Sequence, residues 1–284
     1  MKNKILAVLT IMAGFILVAC GGGNSGDSND ALDQIKEDGV LTIGTSPDYP
    51  PMEFYVLDEN NNRQIAGSDI SLAQAIADEI GVDLNITATD FNGVMANVQS
   101  ASVDMGISGF TRTDKRAEVM EFSEGYLQES ALGFQGLMMQ KEFADKFESL
   151  DEIKEAGLVM GAQNGSIQYE LAGKLTDAAN IKQYGTLDVG LAALNEGDID
   201  AMVVSTSSAE PMLTTFPNLH ILPQETYDLD PERQYSTNVI AFPQGEEYAS
   251  LIEVANQVIQ ESIDNGSIEK WQAEALELSR KAIE

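Results

Sequence analysis

Between Met105 and Arg116 the chain reads Met-Gly-Ile-Ser-Gly-Phe-Thr-Arg-Thr-Asp-Lys-Arg. This gathers three cations (Arg112, Lys115, Arg116) and three hydroxyls (Ser108, Thr111, Thr113) at one place in a chain of formal charge −30. An apolar strand from Val103 to Ile107, a glycine-punctuated turn and a helix start with Thr111 or Thr113 as N-cap would follow one another here. Free backbone N–H groups and the positive end of a helix then meet, which is how small anions are held. A nearby arginine adds a planar fork that grips a carboxylate through two parallel hydrogen bonds. The same run also reads as a plain helix cap flanked by solvated charges.

Other chemistries are poorly served. The chain has one cysteine, Cys20, and one histidine, His220, so no intramolecular disulfide and no His/Cys metal cluster can form. No cofactor, metal ligand or catalytic residue is expected. With 46 acidic residues against 16 basic ones, nucleic acid is excluded as a partner. That acidity says less about a small ligand, because screening over roughly 8 Å lets local groups in a cleft outweigh the distant surface.

The elements that must position these residues begin after a targeting segment. Lys2 and Lys4 precede an apolar run from Ile5 to Ala19, too short for a comfortable membrane span of roughly 20 residues. Leu17-Val18-Ala19-Cys20 closes it and resembles a bacterial lipobox, in which cleavage precedes a cysteine that is then lipidated. Residues 1–19 are therefore read as a lipoprotein signal peptide, and 20–31 as the lipidated Cys20 with a flexible Gly/Ser/Asn/Asp-rich tether.

Further on, strands alternate with helices. Val40 to Gly44, Val82 to Ala88 and Val103 to Ile107 read as strands. Phe54 to Gly67 reads as a hairpin or an extended excursion, a helix capped by Ser68 or Asp69 ends at Gly81, and another runs from Val94 to Gln99. A second unit repeats the plan with strands at Leu158 to Ala162, Ile181 to Tyr184 and Ala201 to Val204, and helices at Ile167 to Lys174 and Leu187 to Asn195. Such alternation implies right-handed crossovers and largely parallel sheets. Each unit ends a buried strand with a serine, Ser108 or Ser205, and in open α/β sheets ligands bind outside those strand ends. Two units facing each other would put the two serines on opposite walls of one cleft. A late amphipathic helix from Glu246 to Ile263 precedes one carrying Trp271, which reads as core packing.

In this order and spacing, GTSPDYPPMEF (Gly44 to Phe54), GSDISLAQAIADEIG (Gly67 to Gly81), the stretch from Thr89 to Arg116, FSEGY (Phe122 to Tyr126), GAQNGS (Gly161 to Ser166), EGDIDAMVVS (Glu196 to Ser205) and NGSIEKW (Asn265 to Trp271) resemble the family 3 extracellular solute-binding proteins. The resemblance implies a type II periplasmic-binding-protein-like α/β fold of two lobes, each a mostly parallel sheet flanked by helices, joined by two hinge crossings. Lobe one would comprise 32–128 plus 229–284 and lobe two 129–228, with hinges near Tyr126 to Ala131 and Glu225 to Leu229.

The family's ligand carboxylate falls on Arg116, the hydroxyl of Thr111 and backbone at Gly109 and Ile167, with Ser108 beside them. Its aromatic lids fall on Tyr49 and Phe91, and Gln163 and Ser166 lie at the second lobe's edge. The chain departs from the pattern where an acid pairs with the ligand's α-ammonium, because that position holds Ser205; the first-strand acid is likewise replaced, by Ser46. Serine accepts one hydrogen bond from an ammonium but does not neutralise it. Either another acid reaches in, with Asp48, Glu53 and Asp90 nearest in sequence to the cleft edges, or the ligand lacks an α-ammonium.

The resemblance implies a monomeric, extracytoplasmic lipoprotein, anchored to the cell membrane through Cys20. It would capture a small carboxylate-bearing solute, an amino acid or close relative, by hinge closure and deliver it to the permease of an ABC importer. A dehydratase-like enzyme with a carboxylate acid/base pair and a lipid-anchored ligand sensor are the competing readings.

Overall fold

The computed structural model describes residues 30–129, 132–280 and 282, so the signal peptide, Cys20 and the hinge residue Ala131 lie outside the described residues. The tether expected to reach residue 31 gives way earlier. Asp30 caps the first helix, Ala31–Asp38, accepting from the N–H groups of Leu32 and Asp33 and from the hydroxyl of Ser250.

Each lobe is built on a five-stranded sheet. In the first the order is Asp83–Ala88, Val40–Thr45, Met105–Gly106, Ala241–Pro243, Met120–Phe122; in the second it is Ile181–Tyr184, Met160–Gln163, Ala201–Ser205, Gln135–Gln140, Leu219–Ile221. In each sheet only the fourth strand runs antiparallel; the fifth pairs antiparallel with the fourth and so runs with the first three. The sheets are thus more mixed than the alternation of strands and helices implies. The reason is topological. Each fourth strand follows a crossing from the other lobe, so it enters its sheet from the opposite end.

Those crossings pair with each other. Leu127–Gln128 and Thr237–Asn238 form a two-stranded antiparallel ladder between the lobes. The return crossing was expected at Glu225 to Leu229. Instead Tyr227, Leu229 and Tyr235 pack on the core of the second lobe, and the Leu229 N–H donates to the Gln135 carbonyl, which keeps that segment in the second lobe as far as residue 236.

Periodicity accounts for the packing. Helix Ser68–Ile80 buries Leu72, Ala73, Ile76 and Ala77 at three- and four-residue spacing against Leu41 and Ile43 of strand Val40–Thr45. It stops at Gly81, whose φ of +83° is a left-handed conformation that glycine adopts without penalty. Trp271 packs on the same core, as expected. The helix does not use Ser68 or Asp69 as its cap; Ser68 is its first residue and Asp69 is buried inside the first turn, with its carboxylate committed elsewhere. The late helix begins at Ala249 after a short 3-10 turn, three residues beyond the expected start. Among the described residues no helix is long and apolar enough to cross a membrane.

A cleft closed between two lobes

The loops at the parallel strand ends of both sheets meet across a small cavity. Its first-lobe wall carries Ser46, Tyr49, Phe91, Ser108, Gly109, Thr111 and Arg116; the second lobe adds Gln163, Ser166 and Ile167. Every expected site residue except Ser205 therefore lines one space. Four others line it too: Asp48, Glu53, Glu129 and Gln168.

Arg116 owes its position to a single helical turn, Asp114–Ala117, whose cap is Thr113: the hydroxyl oxygen accepts from the Arg116 N–H at 3.2 Å. Thr111 is not the cap. Its carbonyl accepts from Arg116 Nη1 at 2.7 Å, while Nη2 reaches the Gly165 carbonyl of the other lobe at 3.1 Å. The guanidinium lies 5.3 Å from the centre of the Phe91 ring. Burial lowers its pKa to about 10, which leaves it charged at neutral pH. Two N–H groups serve these carbonyls, and the side chain lines the cavity. A one-turn helix contributes little dipole, so the anion-holding capacity expected of this run rests on the guanidinium rather than on a helix end.

Gly109 has a φ of +55°, and a Cβ there would come within 3.0 Å of the Tyr49 ring. Glycine at this point lets the aromatic ring lie directly on the turn. Ser166 caps helix Ile167–Ala172, accepting from the Tyr169 N–H and donating to the Gln163 carbonyl, so its hydroxyl is already occupied.

The lobes are held together across the cleft. Asp48, from the first lobe, accepts from Gln163 Nε2 at 2.9 Å and from the Leu187 N–H at 2.6 Å. It thereby caps helix Leu187–Glu196 from the opposite lobe, since Thr186 makes no side-chain cap of its own. Ser46 donates to the other Asp48 oxygen at 2.6 Å. Where the sequence pattern leads one to expect an acid at position 46, the acid stands two residues later and the serine orients it. Burial is the main force raising the Asp48 pKa, to about 6.

Ser205 lies behind the cavity wall, and a carboxylate lies against it. Glu129, on the first crossing segment, takes donations from Ser205 Oγ, Ser207 Oγ and Tyr49 Oη, all of them on Oε1. No hydrogen bond among the described residues ends on Oε2. The backbone fixes the position, because the Glu129 N–H donates to the Ser236 carbonyl of the return crossing at 2.7 Å. Burial pushes its carboxyl pKa up. The acid missing at 205 is thus supplied from the hinge. Asp90, one of the acids considered for this task, caps helix Phe91–Gln99 through the Gly93 N–H and does not line the cavity.

Glu129 carries no sequence signal. It sits in no periodic element, three residues past the FSEGY run, and only the serines at 205 and 207 hint that something acidic must face them. Among the described residues no group of His, Cys, Asp and Glu side chains is placed to hold a metal ion.

Residues 41–276 match the family model of the bacterial extracellular solute-binding proteins, family 3. The chain belongs to that family. Among relatives of this solute-binding protein, the arginine-binding extracellular protein ArtP of Bacillus subtilis is 28% identical over 274 residues, covering 95% of this chain and 96% of ArtP. A crystal structure of the amino acid ABC transporter substrate-binding protein AbpA of Streptococcus pneumoniae, bound to L-arginine, superposes with a TM-score of 0.77 at 29% identity, covering 87% of this chain and 98% of AbpA. A more distant relative is an enzyme, the cyclohexadienyl dehydratase of Pseudomonas aeruginosa, 24% identical over 226 residues and covering 79% of this chain and 78% of the enzyme.

Proposed function

We propose that this solute-binding protein captures an α-amino acid with a cationic side chain, of the arginine type, and delivers it to the membrane permease of an ABC importer. The observation that carries the reading is the pairing of Arg116 with Glu129 on one cavity. Arg116 offers a fork for the ligand carboxylate, Thr111 and the Ile167 N–H stand beside it, and Glu129 Oε2 is left for the α-ammonium. The remaining wall carries the acidic Asp48 and suits a second positive charge. Tyr49 and Phe91 flank the ligand's body. The arginine-binding relatives support the same ligand class. No bond is made or broken in this reading; the work is closure, which a ligand drives only by binding the closed form more tightly than the open one.

Calorimetry with L-arginine, L-lysine, agmatine and the α-keto analogue of arginine tests it. L-Arginine binds most tightly, agmatine loses the Arg116 contact, and the keto acid loses the Glu129 contact. A keto acid that binds as tightly as L-arginine would remove Glu129 from its role, and turnover of any of the four would replace capture with catalysis.

Delivery places the protein outside the cytoplasm, tethered by lipid on Cys20 and acting as a monomer. Membrane fractionation of wild type and Cys20→Ala checks the anchor: the variant appears in the soluble fraction with unchanged ligand affinity.

A further inference from the structure

Directly beneath the cavity two carboxyl groups lie against each other with no cation between them. Glu53 and Asp69 are both 0% exposed. Glu53 Oε1 accepts from Ser108 Oγ at 2.7 Å; Asp69 Oδ2 accepts from the Gly109 N–H at 3.0 Å and the Tyr126 hydroxyl at 2.8 Å. Their other oxygens, Glu53 Oε2 and Asp69 Oδ1, are buried without a donor, and the backbone brings the two residues together: the Asp69 N–H donates to the carbonyl of Met52, next to Glu53, at 3.0 Å, and the two acids hold the consecutive residues Ser108 and Gly109. An ionised carboxylate only accepts, so a bond between two of them requires a proton. Two bare carboxylates out of water at that separation would repel strongly.

We propose that Glu53 and Asp69 share one proton, carried on Glu53 Oε2 and donated to Asp69 Oδ1, and that the pair keeps it through ligand capture. Asp69 is the ionised partner because two protein donors favour its charge, against one for Glu53. The groups facing the pair agree. Asp48 on the cavity side and Glu129 from the hinge are both acidic, and Tyr126 donates to Asp69. The cation on the same cavity, Arg116, directs two of its N–H groups to the carbonyls of Thr111 and Gly165. Burial, reinforced by Asp69 and Asp48, drives the Glu53 pKa well up, and burial brings Asp69 to about 6.

Retention during capture rests on the ligand class proposed above. Arg116, the ligand ammonium and its cationic side chain are matched by the ligand carboxylate, Glu129 and Asp48, with the ionised Asp69 beneath them, so no charge is required of Glu53. The proton also holds the cavity floor. Asp69 anchors the Gly109 peptide on one side and the hinge tyrosine on the other, and Glu53 anchors Ser108, which accepts from the Ser46 N–H at 3.0 Å.

Glu53→Gln tests the proposal, since a side-chain amide donates to Asp69 just as a protonated carboxyl does. Difference infrared spectroscopy of ligand-free wild type against this variant at pH 7 should show the carbonyl band of a protonated carboxylic acid only in wild type; a carboxylate band in its place overturns the proposal. Thermal melting from pH 7 to 10 gives a second reading. Wild type should lose stability as the proton is stripped, while the variant melts near wild type at pH 7 and escapes that alkaline loss. Should Glu53→Gln not fold, Asp69→Asn serves, because an amide at 69 donates to Glu53 and likewise abolishes the acid band. Titration with L-arginine in two buffers of different ionisation heat should register the same proton exchange in wild type and in Glu53→Gln, and release of about one proton more by wild type would overturn retention. Failure of L-arginine to bind would count against the ligand class alone, since the infrared band still decides the shared proton.

Discussion

Replacing Glu129 by Gln isolates the charge that the hinge brings to the cavity. Gln is nearly isosteric, and its Oε1 keeps the donors Tyr49, Ser205 and Ser207, so the local hydrogen bonds survive. The position of Oε2 is taken by an NH₂ group, which turns donors toward the ligand ammonium in place of an acceptor. A hydrogen bond to a charged group contributes about 1.5–3 kcal/mol. Leaving the partner charge buried and unpaired brings the loss to about 2–5 kcal/mol, or roughly 30- to 5,000-fold in affinity. Folding stability should not fall with it. Glu129 is 4% exposed and its carboxyl pKa is raised by burial, so the native state tolerates the charge poorly and the neutral amide relieves that strain. Isothermal titration with L-arginine and thermal melting of the ligand-free protein read the two effects separately. Restoring an acid at the strand end, as Ser205→Asp in the Glu129→Gln background, should recover much of the affinity. A change of less than about threefold in Glu129→Gln, or no recovery in the double variant, refutes the assignment.

Arg116→Ala should weaken L-arginine binding by about 2–5 kcal/mol, and Arg116→Lys by less, because a point charge replaces a planar fork; titration calorimetry measures both. Asp48→Ala removes a cap that reaches helix Leu187–Glu196 only when the lobes are closed, at a cost of about 1 kcal/mol or more. Stopped-flow fluorescence should find ligand release at least fivefold faster with association little changed, and an unaltered release rate would exclude the latch. Acid should stabilise the fold. Asp48 and Asp69 have native pKa values of about 6 against an ordinary 3.8, so the native state binds protons more tightly than the unfolded chain, and stability falls as pH rises from about 4 to about 6. Melting temperatures of the ligand-free protein should therefore be higher at pH 5 than at pH 7.5, and the reverse order would show that these carboxyls are not buried as described.

Much of the architecture is legible because it is local. The apolar spacing of Leu72, Ala73, Ile76 and Ala77, the stops at Gly81 and Gly197, and the serines ending two buried strands all follow from periodicity and backbone preference. The run from Met105 to Arg116 also announces its guanidinium. Three features are not local. The antiparallel strand Ala241–Pro243 is three residues long and takes its direction from the crossing, which no pattern within it encodes. The Glu53–Asp69 pair joins a hairpin strand to the first turn of a helix, where an acid reads from sequence as a cap. Glu129 lies in an aperiodic segment whose partners, Tyr49, Ser205 and Ser207, come from both lobes.

The displaced acid alters how charge and motion are linked. A carboxylate at position 205 would sit at the end of a central strand, inside the rigid core of the second lobe. Glu129 sits on a crossing segment instead, one residue past the strand Leu127–Gln128, with its N–H bonded to the return crossing at Ser236. In the proposed mode a ligand ammonium drawn to Glu129 would pull on the hinge itself, while the ligand carboxylate would be held by Arg116, whose guanidinium already spans to Gly165 of the opposite lobe. The two ends of one amino acid would then tie the first lobe, the second lobe and the crossing between them. Only differential affinity for the closed form shifts such an equilibrium. An acid on the crossing contributes to that difference directly, because its distance from Arg116 depends on how far the crossing has bent.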